Sequence, residues 1–247
     1  MIADYYYLDM ALPIVRIMEL RKTGEYPFLE KLDYKTIISH IQESAKFNYS
    51  IQGTDDAIRT GIMLPYILCI RHNFVHKVSE RLKETLLKLQ KSKKIVALIT
   101  NGEYGYVKNI LPYVLGPNYQ DYFDFICIDA KKPAFWNNPE QEFIPLNLRR
   151  NDFKGPPVKG LNFNLENNKV FFHGNTEALL DYAAKKLDKP REKIRGIYHG
   201  DSTKGDVQAR YHPNWDCAFI FEEIDEIRHP ETNARYWKLQ EVKFREN

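Results

Sequence analysis

The chain has 247 residues, of which 36 are Lys or Arg and 33 are Asp or Glu, a net charge of +3. This balance lacks the basic excess of a nucleic-acid or membrane-surface protein, and the 43% hydrophobic fraction excludes disorder. Three scattered cysteines, Cys69, Cys127 and Cys217, exclude a disulfide scaffold and a CxxC metal site, and fit a reducing, cytoplasmic setting.

Met1 is followed by Asp4 and a run of tyrosines, which is not the pattern of a signal peptide. Leu12, Val15, Met18 and Leu20 fall at helical spacing. Ile37, Ile38, Ile41 and Ala45 do the same, with Asp33 placed to cap that second helix. Gly53-Thr54-Asp55-Asp56 reads as a turn. The apolar run 62–70 holds Pro65 and falls far short of the ~20 residues that a membrane helix needs. Residues 1–75 therefore read as a helical region, and no membrane partner is expected.

From residue 76 helices and strands alternate. Val78, Leu82, Leu86 and Leu89 form one helical stripe, and Lys91, Lys93 and Lys94 close it with the charge that a helix C-terminus favours. Residues 95–99 are continuously apolar, the mark of a strand buried on both faces of a parallel sheet. A helix is predicted over 106–115, kinked or stopped by Pro112. A second strand is predicted at 123–128. The Asn- and Pro-rich stretch 135–169 reads as an irregular insertion with a hairpin, and Val170-Phe171-Phe172 as a short apolar piece. Asn175 or Thr176 caps a helix running to Leu187, and further strands are expected at 194–198 and 217–221. The alternation predicts a doubly wound α/β domain with a parallel sheet, whose chemistry sits at the carboxyl ends of its strands.

Three of these strands end in polar residues: Thr100-Asn101-Gly102, Asp129-Ala130-Lys131-Lys132-Pro133, and His199-Gly200-Asp201 running on to Asp206. Each residue also has an ordinary role, Thr100 as a strand-end cap, Lys132 as a solvated cation and Asp201 as a turn former. Taken together, a hydroxyl, an amide, an ammonium and two carboxylates suit a phosphate with Mg²⁺. His72 and His76 stand four apart with no third ligand nearby and read as surface or packing residues, while His199 reads as packing beneath the strand end. Phe135 and Trp136 follow Lys132 closely enough to border a nucleobase. No Gly-x-Ser-x-Gly, Walker loop or dinucleotide fingerprint occurs, and no basic stretch points to nucleic acid.

Thr100-Asn101, Lys132 within Asp129-Ala130-Lys131-Lys132-Pro133-Ala134-Phe135, and Gly200-Asp201-x4-Asp206 resemble the second to fourth motifs of the haloacid dehalogenase superfamily. More narrowly, the chain resembles the cytosolic purine 5′-nucleotidases and their 5′-nucleotidase domain-containing relatives. The stretch from Phe172-His173-Gly174-Asn175 to Asp201 and the trailing Phe221-Glu222-Glu223 follow the same layout. The resemblance implies a Rossmann-type core over 76–247 and a partial cap over 1–75. It implies Mg²⁺-dependent hydrolysis of nucleoside 5′-monophosphates through an aspartyl phosphate. Thr100 and Asn101 would hold the phosphate, Lys132 would steady the nucleophile and phosphate, and Asp201 and Asp206 would serve the metal.

One motif departs from the resemblance. The family's Asp-x-Asp-x-Thr, which supplies the nucleophile from a central first strand, occurs nowhere in the 247 residues. The expectation is therefore a chain that is inactive alone, whether a truncated product, an incomplete gene model or a variant. The alternative is a non-catalytic regulatory or interaction protein on the same scaffold. Nucleobase preference and formation of a homo-oligomer are left open.

Overall fold

Strand β2 (Phe125–Ile128) has no exposed face, and two parallel neighbours satisfy its backbone on both edges. The computed structural model describes residues 8–49, 72, 75, 77–150, 154–158, 169–202 and 205–220. The turn at 53–56, the 62–70 run, Cys69, His76 and residues 221–223 lie outside them. The chain divides into two compact units, one spanning Leu32–Arg195 and the other made of Met1–Lys31 and Gly196–Asn247.

In the first unit β2 lies between β1 (Ala97–Ile99) and β4 (Val170–His173), with β3 (Phe143–Pro145) antiparallel on the far side of β4. The architecture is α/β with a mainly parallel sheet. Val170–His173, which the sequence presents only as a short apolar piece, is a full member of that sheet. A three-residue apolar run is too short for periodicity to separate strand from loop. Within the stretch 135–169, isolated antiparallel bridges join Phe143 to Val158 and Leu146 to Lys154.

Side-chain alternation sends Ile126, Ile128, Val170 and Phe172 to one face, where they pack with Val96, Val107, Leu115 and Phe123. Phe125 faces the other way and meets the ring of Tyr182 edge-on at 6.1 Å. Helices therefore cover both faces, α5 (Tyr104–Leu115) on the first and α7 (Thr176–Leu187) on the second. Pro112 does not stop α5, which continues to Leu115. It sits in the last turn, where its missing N–H leaves a single carbonyl without an intrahelical bond. The short helix α6 (Ala134–Asn137) buries Phe135 and Trp136.

The other predicted helices form. Asp33 caps α3 (Tyr34–Tyr49), its carboxylate accepting from the Thr36 amide at 2.8 Å and hydroxyl at 2.9 Å, which holds its pKa below the usual carboxylate value. Ser79 caps α4 (Glu80–Lys91). Only part of the predicted α4 stripe is covered: Leu86 packs on the core, whereas Leu82 and Leu89 are exposed.

In the second unit, with α1 (Leu8–Thr23) and α2 (Pro27–Glu30), β5 (Gly196–Gly200) pairs in parallel with β6 (Trp215–Phe219). Among the described residues this is a two-stranded sheet, distinct from the four-stranded ladder. Both strands begin two residues from the predicted positions.

The turn from β4 into α7 depends on Gly174. Its φ is +86°, and a Cβ there would lie 2.1 Å from the Phe143 ring. Gly116 has φ +100° with open space around it. Gly174→Ala is therefore expected to cost about 2–5 kcal/mol, the left-handed backbone penalty plus overpacking. Gly116→Ala carries only the first part, about 1–2 kcal/mol. Urea unfolding of both variants checks this, and equal losses would contradict it.

Candidate functional site

The β1–β2 ladder does not stop at the strand ends. The Thr100 amide donates to the Cys127 carbonyl at 2.9 Å, Ala130 to Thr100 at 3.0 Å, and Asp129 to Gly102 at 2.9 Å. The loops that follow β1 and β2 are thus held in register beyond the apolar core. Thr100 Oγ1 accepts the Gly102 amide at 3.0 Å, which leaves its O–H to donate outward.

Asn101 and Lys132 clamp each other. The Lys132 amide donates to Asn101 Oδ1 at 2.7 Å, and Asn101 Nδ2 donates to the Lys132 carbonyl at 3.1 Å. Lys132 Nζ donates to the Ile99 carbonyl at 3.4 Å, which lays the ammonium over the end of β1 beside Thr100. The structure therefore brings together Thr100, Asn101 and Lys132. It gives Asn101 a duty that the sequence does not reveal, that of fixing the loop that carries the lysine.

Gln141 was not singled out by any motif, yet its side-chain amide donates to the carbonyls of both Ala130 and Gly174, joining the ends of β2 and β4. Asn175 adds a bond to the Gln141 carbonyl and caps α7 at the Ala178 amide, each at 2.8 Å. Phe135 and Trp136 line a cleft of about 260 Å³ beside Asn138 and Asn175. Both rings are buried, and Phe135 packs on Phe143, so they serve the core first.

Asp201 and Asp206 lie in the second unit. Asp206 is 2% exposed, and its carboxylate is fully engaged. Oδ2 accepts from the amides of Asp201 at 3.1 Å and Ser202 at 3.0 Å, and Oδ1 accepts from the Tyr198 hydroxyl at 3.1 Å. Burial and the neighbouring carboxylates push the Tyr198 phenol well above its ordinary range, so it stays a donor. Gly200 makes this approach possible, because a Cβ there would lie 2.5 Å from the Asp206 carboxyl group. Asp206 thus shapes the loop on which Asp201 stands exposed. Strand alternation turns Tyr198 toward Asp206 and leaves His199 exposed rather than packed beneath the strand end.

Buried Cys127 donates its thiol to the His173 carbonyl, and desolvation raises its pKa beyond the reactive range, as expected of a structural thiol. Among the described residues no three His, Cys, Asp or Glu side chains form a metal-binding group, and no helix is long and apolar enough to cross a membrane.

The 5' nucleotidase family model matches residues 1–246. The chain belongs to the 5' nucleotidase family. It is 28% identical over 231 residues to human 5'-nucleotidase domain-containing protein 1, covering 90% of this chain and 46% of that protein. The bovine protein of the same name gives 29% over 227 residues, with the same shares. Human 5'-nucleotidase domain-containing protein 2 gives 28% over 181 residues, 70% of this chain and 32% of that protein. The chain spans about half the length of the first two relatives. In this 5' nucleotidase family member the polar ends of β1 and β2 are ordered by one reciprocal side-chain clamp. Asn101→Ala should cost about 1 kcal/mol and remove hydrogen-exchange protection from the Lys132 amide, leaving that of Ile126 unchanged. Retained protection at Lys132 would contradict the clamp.

Proposed function

We propose that Thr100, Asn101 and Lys132 take the phosphate of a nucleoside 5′-monophosphate in a phosphohydrolase of the 5' nucleotidase family, whose cation Asp201 serves. The observation that carries this reading is the Asn101–Lys132 clamp, which sets an ammonium beside an available hydroxyl at the carboxyl end of a parallel sheet. Thr100 O–H donates to a phosphate oxygen, and Lys132 offsets the phosphate charge. Thr100 and Lys132 act on the substrate by stabilising charge, and Asn101 holds Lys132 in place.

The donor set fits Mg²⁺, which takes one or two carboxylates and keeps several waters. Asp201 is the exposed carboxylate suited to such a ligand role. Asp206 supports it by organising the loop, since three protein donors already occupy its oxygens. When bound, Mg²⁺ neutralises phosphate charge.

None of these side chains is placed as a nucleophile. In-line attack and protonation of the leaving oxygen require groups of the kind that an Asp-x-Asp-x-Thr motif supplies, and the 247 residues contain none. The chain by itself therefore binds substrate without turning it over. The same observation favours a second reading, a non-catalytic relative that binds nucleotide for regulation or interaction.

Calorimetry with inosine 5′-monophosphate and Mg²⁺ tests the binding. Lys132→Met should weaken it about tenfold, the loss of one charge-assisted contact. Asp201→Asn should remove its dependence on Mg²⁺. Phosphate release by the 247 residues should stay near background, since loss of a covalent nucleophile costs on the order of 10⁶ in turnover. Rapid release that Asp201→Asn abolishes would show that another residue is the nucleophile. Binding unaffected by Lys132→Met would overturn the site. In a version that also carries an Asp-x-Asp-x-Thr motif, turnover lost with Asp201→Asn supports the enzyme, and binding without turnover supports the non-catalytic relative.

A further inference from the structure

Between α6 and the start of α7 the first unit holds the cleft of about 260 Å³, which the phosphate contacts leave unused. Its floor is aromatic and buried, with Phe135 and Trp136 meeting edge to face at 5.0 Å. Asn137, Asn138 and Pro139 form an exposed rim, and Asn175, Thr176 and Glu177 bring the amino end of α7 to the lining.

The polar groups of this lining are turned into donors by their protein partners. Asn175 Oδ1 accepts the Ala178 amide, and Asn138 Oδ1 accepts the Glu140 amide at 3.1 Å. The hydrogens left for a ligand are those of Asn138 Nδ2 and the one on Asn175 Nδ2 that does not bond the Gln141 carbonyl. The Thr176 amide is the first of α7 and has no partner inside that helix. The helix has 12 residues, and its dipole places positive potential at this end. The Thr176 side chain shows what these donors serve. Thr176 lines the cleft and is 1% exposed, and its hydroxyl has no hydrogen-bond partner. An unpaired buried hydroxyl destabilises a fold, and a native one calls for an explanation. Capping does not supply it, because Asn175 already caps the helix.

We propose that this cleft binds a small aromatic monocarboxylate, its ring against Phe135 and Trp136 and its carboxylate at the Thr176 hydroxyl and amide. A carboxylate is an acceptor only, and its two oxygens match the Thr176 hydroxyl and amide, with the carboxamide hydrogens beside them. A single charge suits a lining that includes Glu177, itself paired with Arg191, whereas a phosphate dianion meets more repulsion there. The volume falls below the roughly 300–1,000 Å³ of clefts for drug-sized ligands, so the occupant is one ring with its acid group. None of these residues belongs to the phosphate contacts, so the two sites stand or fall separately.

An NMR titration of the chain with benzoate, read at backbone amides and indole N–H groups, tests this. Saturable shifts should fall at Thr176, Asn137 and the Trp136 indole. Benzamide, with the same ring and no charge, should bind about tenfold more weakly, the loss of one charge-assisted contact. Thr176→Val should weaken benzoate binding about tenfold without lowering the melting temperature, since it removes a hydroxyl that no protein group uses. Thr176→Ser should keep the binding. Asn138→Asp, which retains an oxygen for the Glu140 amide and adds a charge, should weaken benzoate by about tenfold as well. Shifts centred on Thr100 and Lys132, benzamide binding as tightly as benzoate, affinity indifferent to Thr176→Val, or a melting temperature lowered by Thr176→Val each overturn the site. So does the absence of any saturable shift.

Discussion

The first unit depends on the complete burial of β2. Residues Phe125 to Ile128 are at most 2% exposed, and each large side chain so buried contributes about 1.5–3 kcal/mol. A strand covered on both faces and paired on both edges has no lateral position for a functional group. Polar chemistry can appear only where the strand stops, and there the neighbouring parallel strands stop too. Thr100, Lys132 and His173 are brought to one edge of the sheet by that constraint, whatever the sequence distances between them.

Once at the edge, these loops are ordered by polar side chains that recognise backbone. Asn101 holds the Lys132 peptide, Gln141 spans Ala130 and Gly174, and Asn175 caps α7 while gripping Gln141. The second unit uses the same device with a carboxylate. Asp206 gathers two amides and a phenol, and Gly200 leaves the space it needs. Fixed donors of this kind bind without reorganising, which gives charge stabilisation its value in a site.

Much of this was legible in the sequence because it rests on long-known signals. The runs ending at Ile99 and Ile128 are continuously apolar, and Thr100 and Lys132 follow such runs. Asp33 and Asn175 mark helix starts through local hydrogen bonding. The parts that were not legible depend on contacts distant in sequence. Val170–His173 is too short to announce itself, and its strand character comes from pairing with β2 and β3. Lys154 lies in an Asn- and Pro-rich stretch, and only the bridge to Leu146 brings it to His173. Asp206 matches a motif, yet its two saturated oxygens, visible only in three dimensions, make it an organising residue. The helix predicted over 106–115 ends at Leu115 as its pattern implies, with Pro112 accommodated in the last turn.

The central claim is that the carboxyl end of β1 and β2 takes a phosphate group. A backbone amide NMR titration of the chain with inorganic phosphate tests it most directly. The account predicts that the largest shifts fall at Thr100, Gly102 and Lys132, with Ile126 unmoved and saturation reached at one phosphate. Shifts centred elsewhere, with those three amides silent, would contradict it.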